Sequence, residues 1–155
     1  MKVLFVCLGN TCRSPMAEAV LNHIIVKEQL SNWSTDSAGL RDWNVGLQPQ
    51  GRAQQLLNQH GLKTQHLSRI ITVQDFYDFD YIFGMDESNL QELECMAARL
   101  QPAPACRIEL LGSYLGRKQD EIIPDPYFSQ GMGSFHAVYL QINESCERFV
   151  EQQLK

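Results

Sequence analysis

The chain has 155 residues, 44% apolar and 20% charged, with a formal net charge of −5 at pH 7. That length suits a single domain over 1–155 whose core needs no disulfide or metal staples. The acidic balance argues against general nucleic-acid or anionic-membrane binding, and no apolar run reaches the roughly 20 residues of a membrane-spanning helix. Five cysteines (7, 12, 95, 106 and 146) make an odd, dispersed set rather than a disulfide framework. Together with a first apolar run that lacks signal-peptide character, they place the chain in a reducing compartment, the cytoplasm.

Strand and helix signals alternate along the chain. Lys2 to Val6 is a short run rich in β-branched and aromatic types, the pattern of a central strand. Cys7 to Arg13 is a tight loop, with Gly9-Asn10 supplying residues that tolerate a left-handed backbone. Ser14 is a candidate N-cap and Pro15 a first helical residue, opening a helix to about Lys27. Trp33 to Ser37 reads as a second strand ended by Ala38-Gly39. Gln50 to His60 reads as a helix with Ala53, Leu56 and Leu57 on one face, stopped by Gly61. Thr72 to Phe79 resembles a capped helical turn, with Thr72 as N-cap and Asp75 three residues on. Tyr81 to Gly84 is the third strand, Asp86 to Leu100 a helix, and Arg107 to Leu111 the fourth strand. Gly133 to Leu154 closes the chain with a sustained helical stripe of Phe135, Val138, Tyr139, Ile142, Cys146, Phe149 and Val150. Four strands separated by helices predict an α/β fold, a doubly wound four-stranded parallel sheet with helices on both faces.

In such sheets ligands bind at the carboxyl ends of strands, which is where the Cys7–Arg13 loop falls. A loop ending on a helix N-terminus points backbone N–H groups inward and makes an anion site. A thiol at its floor is a nucleophile, which directs the chemistry to phosphate. The plainer alternative makes Cys7 a small buried apolar residue and Arg13 a surface cation. Chemistry on phosphate also needs an acid for the leaving oxygen. Asp125, in Pro124-Asp125-Pro126-Tyr127-Phe128, is the best candidate, with prolines to stiffen its loop. By itself Pro-Asp-Pro is ordinary turn chemistry. Cys95, Cys106 and Cys146 are expected to fill the core. No Cys or His pairing has structural-zinc spacing, so neither metal nor cofactor is expected.

The segments Cys7-Leu-Gly-Asn-Thr-Cys12-Arg13-Ser14-Pro15 and Asp125-Pro126-Tyr127 together resemble those of low-molecular-weight protein tyrosine phosphatases. Between them, Asp36-Ser37, Asp42-Trp43-Asn44-Val45-Gly46, His66-x-x-Arg69, Phe79-Asp80-Tyr81-Ile82 and Met85-Asp86-Glu87-Ser88-Asn89-Leu90 extend the resemblance end to end. It implies a flavodoxin-like sheet of strand order 2-1-3-4. It implies Cys7 as nucleophile carrying a phosphocysteine, Arg13 gripping two phosphoryl oxygens, and Asp125 as general acid and then base. Leu8, Gly9, Asn10, Thr11, Cys12 and Ser14 would cradle the phosphate, with Ser14 also bonding the thiolate. Asn10, Ser37 and His66 would hold the loop in shape. Trp43 and Tyr127 would wall an aromatic ring, and Cys12 could close a protective reversible disulfide with Cys7. The implied substrates are phosphotyrosine proteins or small aryl phosphates, acted on by a monomer or weakly self-associating chain. Where animal members usually carry a second tyrosine after Tyr127, this chain has Phe128. Arsenate reduction on the same scaffold would need two further cysteines after the third strand, and Phe83-Gly84-Met85-Asp86-Glu87 lacks them. A phosphocysteine carrier of sugar transport would have no use for Asp125, and a silent phosphotyrosine-binding module would differ by lacking turnover.

Overall fold

A computed structural model describes residues 1–155. Its elements are β1 (Lys2–Cys7), α1 (Arg13–Lys27), β2 (Ser34–Gly39), α2 (Gly51–Gln59), α3 (Asp75–Asp78), β3 (Tyr81–Gly84), α4 (Glu87–Ala98), β4 (Arg107–Leu110) and α5 (Gly133–Gln153). Two short 3₁₀ turns, Leu111–Leu115 and Lys118–Asp120, lie between β4 and α5. The four strands form one parallel sheet in the order β2-β1-β3-β4, as the resemblance implied.

Alternation along β1 splits the core in two. Val3, Phe5 and Cys7 face α1, α2 and α5, where the larger cluster lies; Leu4 and Val6 face Phe76 of α3 and Leu93 of α4. Helices therefore cover both faces, and β1, paired on each side, reads as the unbroken apolar run of a central parallel strand. The stripe on α5 centres on Phe149. Its ring meets those of Tyr81 and Phe83 at 5.0 Å, Tyr114 at 5.2 Å and Trp33 at 5.9 Å, all edge-on. Such pairs each add about 0.5–1.5 kcal/mol beyond burial.

Several boundaries differ from the sequence expectation. Trp33 lies outside β2, because its N–H closes a turn on the Leu30 carbonyl (3.0 Å), while Ala38 and Gly39 lie inside it. The extension has a partner: Gly39 donates to the Arg69 carbonyl (2.8 Å) and accepts from Ile71 N–H (2.9 Å), so the 69–71 segment runs beside the strand end. The N-cap of α3 is Gln74 rather than Thr72, but Thr72 and Asp75 bond reciprocally in the turn that leads into it: Asp75 N–H donates to Thr72 Oγ1 (3.3 Å) and Thr72 N–H to Asp75 Oδ2 (2.8 Å). The helix that follows is only one turn. Leu111 belongs to the first 3₁₀ turn rather than to β4. Cys146 is buried and Cys106 half-buried, but Cys95 is exposed on the outer face of α4 and does not fill the core. No helix is long and apolar enough to cross a membrane.

Candidate active site

Everything in the site is organised by the turn between β1 and α1. Its carbonyls point outward and each finds a donor outside the turn. Leu40 N–H bonds the carbonyls of Cys7 (3.1 Å) and Leu8 (3.0 Å), and Arg41 N–H also bonds Leu8 (3.0 Å). The Asn44 amide donates to the Gly9 carbonyl (3.0 Å), Ser68 Oγ to that of Asn10, and Gln50 N–H to that of Thr11 (2.8 Å). Cys12 C=O accepts from Met16 N–H (3.3 Å) as α1 starts. With the carbonyls turned out, the N–H groups of Leu8 to Cys12 donate to no protein acceptor. Those of Arg13 and Ser14 belong to the open first turn of α1. These donors form the concave anion nest expected of a loop leading into a helix.

The turn is locked from behind by Asn10, whose φ of 55° is the left-handed conformation that asparagine tolerates. Gly39 makes room for it: a Cβ there would stand 3.1 Å from Asn10 Cβ and from the Leu8 carbonyl oxygen. Asn10 Nδ2 donates to Ser14 Oγ (2.8 Å) and Ser37 Oγ (3.0 Å). Its Oδ1 lies 2.7 Å from His66 Nε2 and accepts from Arg69 N–H (3.1 Å). Ser37 Oγ donates to Glu18 Oε1 (2.7 Å), which lies 3.1 Å from His66 Nδ1. The predicted trio of Asn10, Ser37 and His66 is thus brought together. Glu18, Ser68 and Arg69 complete it.

Ser14 does a different job from the one its sequence position implied. The N-cap is Cys12, without a side-chain cap bond, and α1 begins at Arg13. Ser14 Oγ, fully buried, accepts from Asn10 and sits 2.9 Å from Cys7 Sγ. Pro15 then occupies a first-turn position whose missing N–H costs nothing.

Arg13 is buried, with 3% of its side chain exposed. Its Nη1 donates to Asp86 Oδ2 (2.7 Å) and to the Ile123 carbonyl (2.9 Å), and its Nη2 lies 3.8 Å from Asp125 Oδ2. Asp86 uses its other oxygen to cap α4, accepting from Asn89 N–H (2.9 Å). Sequence reasoning singled out Asp86 only within the resemblance, and its side chain proves to be the one that anchors the arginine. An aspartate N-cap directly after a strand was the available signal.

A cleft of about 310 Å³ opens over the turn, lined by Cys7, Leu8, Gly9, Thr11, Cys12 and Arg13 at its floor. Trp43, Asn44, Asp125, Tyr127 and Phe128 form its walls. Asn10 and Ser14 lie behind the turn, not in the cleft. Trp43 and Phe128 are 65% and 85% exposed, so both rings stand at the mouth. Tyr127 and Phe128 meet edge-on at 5.1 Å. Burial, with the nearby Cys7 second, pushes the Cys12 thiol up to about 12. Cys12 therefore stays protonated at neutral pH. Glu18, Asp36 and His66 bring ligand-type atoms within 4.8 Å of one another. Each already has a protein partner, Ser37 for Glu18, Arg69 for Asp36 and Asn10 for His66.

A parallel α/β sheet with a cysteine beneath a ring of inward N–H groups and a buried arginine is an arrangement suited to holding an anion such as phosphate. A family model described as low molecular weight phosphotyrosine protein phosphatase matches residues 2–155, and the chain belongs to that family of hydrolases. The phosphatase of that name from Sus scrofa is 48% identical, covering 97% of this chain and 94% of its own. The solved structure of DARP, the Drosophila arginine phosphatase, superimposes with a TM-score of 0.99 at 70% identity, over 100% of this chain and 99% of that one. The structure of Primo-1 gives a TM-score of 0.93 at 40% identity, over 99% of each chain.

Proposed function

We propose that this protein is a cysteine-dependent phosphatase working through a phosphocysteine, with phosphotyrosine and small aryl phosphates as substrates. The observation that carries this is the nest of unpartnered N–H groups above Cys7, closed by the buried guanidinium of Arg13. Phosphoryl transfer asks for positioning and charge stabilisation, and this arrangement supplies both. Cys7 Sγ attacks phosphorus as the P–O bond breaks; the electron pair leaves with the phenolic oxygen, which takes a proton from Asp125. Asp125 then takes a proton from water as the water oxygen attacks phosphorus. The P–S bond breaks, inorganic phosphate departs and the thiolate is restored. A thiolate has no proton to give, so Ser14 donates to it, with its own lone pair occupied by Asn10. Trp43 and Tyr127 flank the substrate ring.

Asp125→Asn tests the assignment. The expected result is a 10²- to 10⁴-fold lower kcat/KM for phenyl phosphate. The loss is expected to be much smaller for 2,4-dinitrophenyl phosphate, whose leaving group needs no proton. Equal losses on both esters would remove Asp125 as the acid.

Phosphoarginine is a second substrate reading, favoured by the 70% identity to a protein described as an arginine phosphatase. Here the P–N bond breaks and the guanidino nitrogen takes the proton. Thr11 and Asp125, which line the cleft, carry oxygen acceptors for the resulting cation. Comparing kcat/KM on a phosphoarginine peptide and a phosphotyrosine peptide of one sequence separates the readings. A ratio above ten in either direction assigns the substrate.

Five free cysteines fit a reducing, cytoplasmic setting. Within it Cys12 would act as the resolving thiol: peroxide converts the Cys7 thiolate to a sulfenic acid, and the Cys12 sulfur displaces water to form a disulfide. After peroxide and then dithiothreitol, the native chain is expected to recover activity and Cys12→Ser to stay inactive. Equal recovery would end the protective role.

A further inference from the structure

Asp125 and Tyr127 ride on a loop with little internal structure. Within 124–131, Tyr127 N–H bonds Asp125 Oδ1 (3.0 Å) and Ser129 N–H bonds the Pro126 carbonyl (3.1 Å). The entry to the loop is held by Ile123 N–H on the Met85 carbonyl (2.9 Å) and by Gln141 Nε2 on the Ile122 carbonyl (3.1 Å). Beyond that point one residue from outside the loop hydrogen-bonds to it. Arg52, in the first turn of α2, donates through Nη2 to the Tyr127 carbonyl (2.8 Å) and through Nη1 to those of Ser129 and Gly131, the last at 3.2 Å. Its guanidinium lies 4.4 Å from the centroid of the Phe135 ring on α5, which fixes the plane of the fork. The only other polar approach to the loop is the 3.8 Å pairing of Asp125 with Arg13.

The same end of α2 also touches the phosphate turn. Gln50, its N-cap, donates its N–H to the Thr11 carbonyl (2.8 Å), and Gln50 Oε1 accepts from Arg52 N–H (2.7 Å). Three consecutive residues thus join the cysteine turn to the acid loop.

We propose that Arg52 is a positioning residue for the general acid: by gripping three carbonyls of the 124–131 loop it sets Asp125 at the right height over the Cys7 turn. This rests on the proposed function, in which Asp125 protonates the leaving group. Planar, with several donors in fixed directions, arginine suits the task; lysine offers a point charge and cannot span the same three oxygens. A carboxyl displaced by an ångström transfers its proton poorly, whereas attack by Cys7 is untouched.

The test is the dependence of kcat/KM on leaving-group pKa across substituted phenyl phosphates. Arg52→Gln is expected to lower kcat/KM for phenyl phosphate roughly ten- to a hundredfold. It should leave 2,4-dinitrophenyl phosphate nearly unchanged, so that the plot steepens toward that of Asp125→Asn. Arg52→Lys is expected to fall between. In an Asp125→Asn background, Arg52→Gln should cost little more, because the two act on one step. Vanadate inhibition, which reports the Cys7 turn, should stay close to native. A uniform loss across all esters, or an undiminished further loss in the Asp125→Asn background, overturns the proposal. Should Arg52→Gln fail to fold, the slope for Arg52→Lys decides. A native chain that hydrolyses no aryl phosphate would instead refute the proposed function.

Discussion

Cys7→Ser is expected to reduce hydrolysis of any substrate by about 10⁵-fold or more, the scale seen when a covalent nucleophile is removed. The hydroxyl neither ionises near neutral pH nor leaves readily from phosphorus in the second step. Little else should change. The side chain is nearly isosteric and buried at the end of β1, and the six carbonyls from Cys7 to Cys12 keep their outside donors. The variant should therefore bind inorganic phosphate or vanadate much as the native chain does, and its thermal midpoint should move little. Isothermal titration with phosphate, alongside steady-state rates, checks both halves. Retained turnover above a hundredth of native would mean that the nucleophile lies elsewhere.

Arg13→Ala should be nearly as damaging to rate, roughly 10³- to 10⁵-fold, but with a different signature. The guanidinium is a planar fork already oriented by Asp86 and the Ile123 carbonyl, so its remaining donors are aimed before substrate arrives. Losing it removes affinity for phosphate as well as rate, where Cys7→Ser spares affinity. It also leaves Asp86 facing the turn without its cation. Breaking a buried pair costs about 3–5 kcal/mol. Asp86 is 24% exposed and keeps the Asn89 N–H, so about 1–3 kcal/mol is expected here, seen as a lower denaturation midpoint. Arg13→Lys should restore most of the stability and little of the rate, since an ammonium lacks the planar fork that presents two parallel N–H donors to a pair of phosphoryl oxygens. Full rescue by lysine would reduce Arg13 to a point charge.

The elements that could be read from sequence were those with strong periodicity or punctuation. The apolar β1, the α5 stripe, the Gly9-Asn10 turn and the reciprocal Thr72–Asp75 bonds ahead of α3 all stand within a residue or two of expectation. Less legible were features decided by a partner distant in the chain. Ser14 has the chemistry of a cap, but Asn10 and Cys7 claim its hydroxyl. Cys95 looks like a core residue by type, yet the rotation of α4 is set by Asn89 and Leu93, which turns it outward. β2 is polar enough (Ser-Thr-Asp-Ser) to blur its end, which is fixed only by the 69–71 segment alongside. At the site, Cys7, Arg13 and Asp125 follow from motif and placement. Asp86, Ser68, Glu18 and Arg52 are common surface types whose roles come from bonds spanning from 19 to 79 positions. Apart from the N-cap position of Asp86, no local pattern announces them.

The division between floor and walls has an evolutionary consequence. The floor is over-determined: altering Asn10 or the turn's carbonyl donors disturbs several bonds together. Trp43, Tyr127 and Phe128 protrude from irregular segments and are more than half exposed, so replacing any of them should cost the fold little. Substitution at those positions is expected to retune which phosphorylated side chain enters while leaving the turn beneath undisturbed. A scaffold divided in this way suits a family whose relatives are described by tyrosine in one case and by arginine in another.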